Sequence, residues 1–145
     1  RVGKEVSQYQ GTPPTATATT TAFETYYETQ NTDLYTGLNI TIIPTALDKE
    51  PINGIEVVLS NQEPPLPEPY QVIINANITG ELQKEWTCQT INKSIVRCGG
   101  SAPLALNEST VLALYFNLPP ALPQHLKLQL LHDTAAITTV EASRR

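Results

Sequence analysis

Charge is scarce in this sequence. Only 16% of its 145 residues are Asp, Glu, Lys or Arg, and the formal balance is −5. A chain so poorly charged does not read as a solvated acidic tail. Its negative balance, without a basic cluster, would repel a nucleic-acid backbone. Long apolar runs are missing too, and none approaches the roughly 20 residues that a membrane-spanning helix needs. Methionine is absent, the first residue included, which predicts a mature or excised segment whose secretion signal has been removed. No amphipathic helix can be read, and the 12 prolines sit at intervals that exclude long helices. One domain of ordinary size remains, long enough to close its own core.

What is present alternates with a period of two. Leu38, Ile40 and Ile42 are interleaved with Asn39 and Thr41. Ile55, Val57 and Leu59 are interleaved with Glu56 and Val58, and Leu126, Leu128 and Leu130 with Lys127 and Gln129. Tyr70, Val72, Ile74, Ala76 and Ile78 follow the same rule. Such alternation marks strands with one buried face. Thr110–Asn117 is apolar on both faces, as in a central strand. Leu82–Cys88 and Ser94–Cys98 read as a hairpin around Gln89–Lys93, and Ala135–Ala142 as a last strand. Pro51–Gly54, Pro64–Pro69, Gly99-Gly100 and Pro119-Pro120 supply turns. The expected fold is an all-β, Ig-like sandwich of about seven to nine strands, preceded by an extended N-terminal strand segment.

Four N-x-S/T sequons occur, at Asn39, Asn77, Asn92 and Asn107, none with proline in the middle. Asn39 and Asn77 fall on outward strand positions, Asn92 and Asn107 in turns. Four such sites favour a glycosylating, oxidising compartment. In that setting Cys88 and Cys98, with nine residues between them, are expected to form one local disulfide. Such a bridge would contribute about 3 kcal/mol on the chain-entropy model. Two free buried thiols are the alternative reading.

Residues 1–30 differ from the rest and read as a separate tail ahead of a sandwich over 31–145. Gly11–Ala22 is Thr-rich and low in complexity, which suits a flexible or O-glycosylated linker. Thr is also β-branched and suits an extended strand, and Phe23, Tyr26 and Tyr27 continue the segment with aromatic anchors.

Between residues 70 and 118 the order of pieces is a strand at Tyr70–Ile78, Trp86-Thr-Cys88, Val96-Arg-Cys98, Gly99-Gly100, Pro103-Leu104 and the apolar strand Val111–Phe116. This third of the chain resembles the DUF11-like repeats, Ig-like repeats of secreted and surface proteins. The resemblance implies a surface, adhesive or structural role, and it brings no catalytic residue with it.

Convergent chemistry is thin. His125 and His132 are the only histidines. His132-Asp133 could bind a metal only with ligands from elsewhere in the chain. Ser101, His125 and Asp133 form a triad on paper, but no nucleophile-elbow glycines surround a serine. The cysteine spacing is not that of a redox motif. Trp86 invites a sugar-stacking role with Tyr26, Tyr27 or Tyr35, set against a buried role covering the disulfide. The sequence thus predicts a non-enzyme that needs no cofactor, has no membrane span and binds no nucleic acid. Its predicted partners are N-linked glycans and copies of itself. The expected function is an extracellular or cell-surface structural subunit that self-assembles head-to-tail into a filament or surface layer. One copy's tail is donated as a strand through Thr17, Thr19, Thr21, Phe23, Tyr26 and Tyr27. The alternative is a carbohydrate-binding or adhesion module of a surface protein.

Overall fold

A computed structural model of the chain describes residues 23–46, 51–76 and 86–145. These residues form nine strands in one mixed sheet and no α-helix. In chain order they are β1 (Phe23–Asn31), β2 (Thr36–Pro44), β3 (Gly54–Val58), β4 (Gln71–Ala76), β5 (Thr87–Ile91), β6 (Ile95–Gly99), β7 (Thr110–Phe116), β8 (His125–His132) and β9 (Ala135–Arg144). The spatial order is β4-β7-β2-β1-β9-β8-β3-β6-β5. Every pairing is antiparallel except β1 with β9, a short parallel contact through Tyr26↔Ser143 and Tyr27↔Arg144. That contact joins two antiparallel halves. The end strands β4 and β5 approach each other without a ladder between them, so the sheet is nearly closed into a barrel.

The alternation explains the core. Leu38, Ile40 and Ile42 of β2, Ile55 and Val57 of β3, and Leu126, Leu128 and Leu130 of β8 all point inward and are fully buried. Val96 and Cys98 meet them from β6, and Leu112, Leu114 and Phe116 from β7. β7 lies between β2 and β4, and Ala113 on its other face is buried as well. Burying each of these branched or aromatic side chains is worth about 1.5–3 kcal/mol, and together they fix the register, because a one-residue slip would turn every one of them outward.

The structure departs from the expected elements at two places. Gln89, Thr90 and Ile91 belong to β5, not to a loop, and the turn falls at Asn92–Ser94. Asn92 and Lys93 have φ of 52° and 61°, and the Ser94 amide donates to the Ile91 carbonyl at 3.1 Å. This is a type I′ turn, whose twist matches that of the strands it joins. The polar outer face of an edge strand reads as loop when its partner is unknown. Residues 82–85, where that hairpin was expected to start, lie outside the described residues. The other departure is the boundary drawn between residues 30 and 31. It cuts β1, which pairs with β2 from Phe23↔Pro44 to Asn31↔Thr36 and is an ordinary strand of its own chain's sheet.

Candidate functional site

Among the described residues, β4 and β5 each have a paired strand on one side only. An open edge is a template for another strand, and stable monomers blunt it with Lys, Pro, bulges or inward-pointing charge. Neither Gln71–Ala76 nor Thr87–Ile91 contains a charged residue or a proline. The inward side chains here, Val72 and Ile74 on β4 and Cys88 on β5, pack against the core but are only partly buried. On the outer face of β4, Ile73 is 46% exposed. Among the described residues, the pieces of an acceptor edge are therefore together: main chain without a ladder partner, incompletely covered apolar positions and no charge or proline within the strand.

The residues expected to donate the strand separate into two groups. Thr17, Thr19 and Thr21 lie outside the described residues. Phe23, Tyr26 and Tyr27 lie in β1 and are committed within their own chain. Tyr27 is fully buried, and its hydroxyl donates to the Pro123 carbonyl. The Tyr27 carbonyl accepts the Arg145 amide at 2.9 Å. Burial pushes the Tyr27 phenol above its usual pKa, and the Arg144 charge draws it partly back. Tyr26 carries the Arg145 guanidinium 3.5 Å from its ring centroid, and Phe23 packs on the core. As placed, none of the three projects free of its own sheet to fill a neighbour's pocket.

Asn39 points outward from β2 between Glu28 of β1 and Ala113 of β7 and is half-buried. Asn92 and Asn107 are exposed and have φ of 52° and 62°, turn positions that Asn tolerates well. Asn77 lies outside the described residues. Cys88 and Cys98 form a disulfide across the β5–β6 pair, so the chain has no free thiol.

The aromatic and histidine sites fall differently from their sequence patterns. Trp86 is only 6% exposed, and its indole donates to the Ala102 carbonyl at 3.0 Å. It cannot serve as a sugar-stacking platform. The exposed aromatic cluster is elsewhere: Tyr115 meets Tyr35 edge-on at 5.2 Å and Tyr70 at 6.5 Å, with Tyr70 half-exposed. His125 opens β8 while Asp133 follows its last residue. Eight extended residues span about 26 Å, so Ser101, His125 and Asp133 cannot form a triad. His132 Nδ1 lies 2.9 Å from the Pro51 carbonyl, and its Nε2 lies 3.5 Å from Asp133. Among the described residues, no three His, Cys, Asp or Glu side chains converge as metal ligands.

A cleft that no sequence spacing announced lies on the outer face of β3, β5, β6 and β8. Its volume is about 400 Å³, and Asn53, Thr87, Gln89, Arg97, Ser101 and Asp133 bring polar groups to it. Arg97 is held by Glu56, which accepts from Nε at 2.9 Å and Nη2 at 2.7 Å. Asn53 and Asp133 hold each other through two hydrogen bonds of 2.9 Å, one from the Asn53 amide and one to its oxygen. Gly54, Gly99 and Gly100 complete the lining, and neighbouring groups leave little room for a side chain at the last two. A Cβ on Gly99 would lie 2.7 Å from the Asn53 carbonyl oxygen, and one on Gly100 would lie 2.8 Å from the Trp86 ring.

No family model matches this chain, and no curated protein matches it. Among solved structures, an inactive mutant of a GH20 exo-β-N-acetylglucosaminidase from Vibrio harveyi aligns at 8% identity with a TM-score of 0.46. The alignment covers 86% of this chain and 18% of that one, so the chain spans less than a fifth of the length of the protein it is compared with. A likeness at that level carries no argument about activity.

Proposed function

We propose that this chain is a non-catalytic, N-glycosylated subunit of an extracellular filament or surface layer. Copies join head-to-tail when the Thr-rich segment before β1 of one copy adds as a strand to the free edge of β4 in the next. The observation that carries this reading is the β4 edge, which has no ladder partner among the described residues and leaves Val72 and Ile74 incompletely covered, in a sequence with 22 residues ahead of β1. The donor is narrower than residues 1–30, because Phe23 onward is already paired. Thr17, Thr19 and Thr21 remain its alternating anchors. Strand addition of this kind draws its hold from main-chain hydrogen bonds and its specificity from alternate side chains. A head-to-tail contact does not close on itself and so propagates.

The finer fold reading, an Ig-like sandwich, is supported by the strand order. One half runs β1-β2-β7-β4 and the other β9-β8-β3. With strands lettered in chain order, that is A-B-E-D against G-F-C, with the β5–β6 hairpin inserted between D and E and added beside C. The resemblance of residues 70–118 to DUF11-like surface repeats belongs to the same reading. A disulfide together with four sequons favours secretion.

Electron microscopy of the native secreted material tests the proposal. Fibres or sheets with a repeat of one domain are expected. A synthetic peptide of residues 8–22, added in excess, is expected to occupy β4 and shorten them. Dispersed monomers, or assembly that persists after deletion of residues 1–21, would refute strand donation.

A further inference from the structure

We propose that the cleft over β3, β5, β6 and β8 is a binding site for a neutral polyhydroxyl ligand, a hexopyranose sugar. The reading does not rest on strand donation, which uses the main-chain edge of β4, a strand that contributes no residue to the cleft.

The volume, about 400 Å³, falls in the range of small-ligand sites. The lining decides the ligand class. It offers amides from Asn53 and Gln89, hydroxyls from Thr87, Ser101 and Thr134, a guanidinium and a carboxylate. Donors and acceptors are mixed around one concavity, as a ligand with several hydroxyl groups requires, since each hydroxyl both donates and accepts. Leu131 closes the floor of the cleft and is itself only 2% exposed, so recognition rests on the polar groups.

Charge points the same way. The Arg97 guanidinium is neutralised by Glu56 at 2.7 Å, and Asp133 adds a further negative charge. An anion would meet no unspent cation in this cleft, so phosphate, sulfate and carboxylate ligands are disfavoured. A neutral sugar loses nothing to that field.

The polar groups are also held before a ligand arrives. Arg97 uses Nε and one Nη2 hydrogen on Glu56, leaving Nη1 and the second Nη2 hydrogen to donate. The two hydrogen bonds between Asn53 and Asp133 leave the second Asn53 amide hydrogen and further carboxylate lone pairs. Groups fixed by their own partners, with capacity remaining, bind at lower entropic cost than free side chains.

The test is a titration of the ¹⁵N-labelled, deglycosylated full chain, followed by backbone amide shifts. The probes are methyl β-D-glucopyranoside, methyl α-D-mannopyranoside and methyl β-D-galactopyranoside, with sodium sulfate as the anion. The proposal expects saturable shifts at Gly54, Gly99, Gly100 and Asp133 with at least one glycoside and none with sulfate. Gln89→Ala, at an exposed position, is expected to weaken that binding about five-fold, the loss of one hydrogen-bonding side chain. Gln71→Ala, on β4, is expected to leave it unchanged. Unlabelled glycosylated chain as a further probe separates two sources of the same chemistry. Shifts with it as well assign the cleft to a glycan on another copy, and shifts with the glycosides alone assign it to free or foreign sugar. No saturable shift with any of the three glycosides would overturn the proposal, as would saturable binding of sulfate or an unchanged affinity in Gln89→Ala.

Discussion

Tyr27 ties the first strand to the last third of the chain, and its phenol makes that tie sensitive to pH. The side chain is fully buried, and its hydroxyl donates to the Pro123 carbonyl. Replacing it with Phe keeps the ring but leaves that buried carbonyl without its donor. A buried acceptor left unpaired costs about 1–3 kcal/mol, and at about 2 kcal/mol the melting temperature would fall by roughly 7 °C for a chain of this size. The sign of the pH effect follows from the direction of the shift. Burial raises the folded-state pKa above the ordinary value of 10.0, so the stabilisation is fully present below about pH 10. It is lost as pH rises through the folded pKa, because the unfolded chain ionises first. Between the two values this one group lowers stability by up to about 1.4 kcal/mol per pH unit. Urea unfolding followed by circular dichroism from pH 8 to pH 11 measures it. Wild type is expected to lose stability more steeply above pH 10 than Tyr27→Phe, which starts lower and changes less. Parallel slopes for the two proteins would refute the account of the phenol, and equal stability at pH 8 would refute the hydrogen bond.

Three further outcomes are expected. Thr110 is buried and its hydroxyl oxygen finds no partner among the described residues, so Thr110→Val, of nearly the same shape, should stabilise the fold by about 1 kcal/mol in urea denaturation. Thr134 sits in the β8–β9 turn with φ of 72°, a conformation that disfavours β-branched residues. Thr134→Gly should therefore raise stability by about 1 kcal/mol, and a fall in melting temperature would contradict this. Cys88→Ser with Cys98→Ser should cost about 3 kcal/mol in equilibrium unfolding, and reduction of the wild type should reproduce most of that loss.

The strands most legible in the sequence were those whose one wet face interrupts the apolar residues, and for a physical reason. Leu126, Leu128 and Leu130 alternate with Lys127 and Gln129 because β8 has one face in the core, whereas β7 also carries Ala113 on its other face, where it is buried. The frame of the β5–β6 hairpin was not legible. Thr87, Gln89 and Thr90 are exposed edge-strand residues, and exposed edge positions carry the composition of loops. Nor could the start of β1 be read, since Thr-rich sequence runs into it with the same β propensity on either side. Gln62 sits in a Pro-rich connection that reads as bare turn, yet it is buried. Its amide donates to the Val58 and Lys127 carbonyls, and its oxygen accepts the Lys127 amide at 2.9 Å. The cleft was beyond any spacing argument, because its polar groups come from positions 53, 87–89, 97–101 and 133–134 and meet only through strand pairing. The free edge of β4 depends likewise on which strands end the sheet, and composition does not record that.

The measurement that bears most directly on strand donation is cysteine cross-linking between the donor and the edge. Single cysteines at Thr15, Thr17, Thr19 or Thr21 are combined in turn with Ile73→Cys, whose side chain is exposed on β4, and the secreted proteins are oxidised and run on a non-reducing gel. Donation between copies predicts a ladder of covalent multimers for at least one pair, collapsing to monomer on reduction. Monomer alone for every pair, or a bridge formed only within one chain, would contradict it.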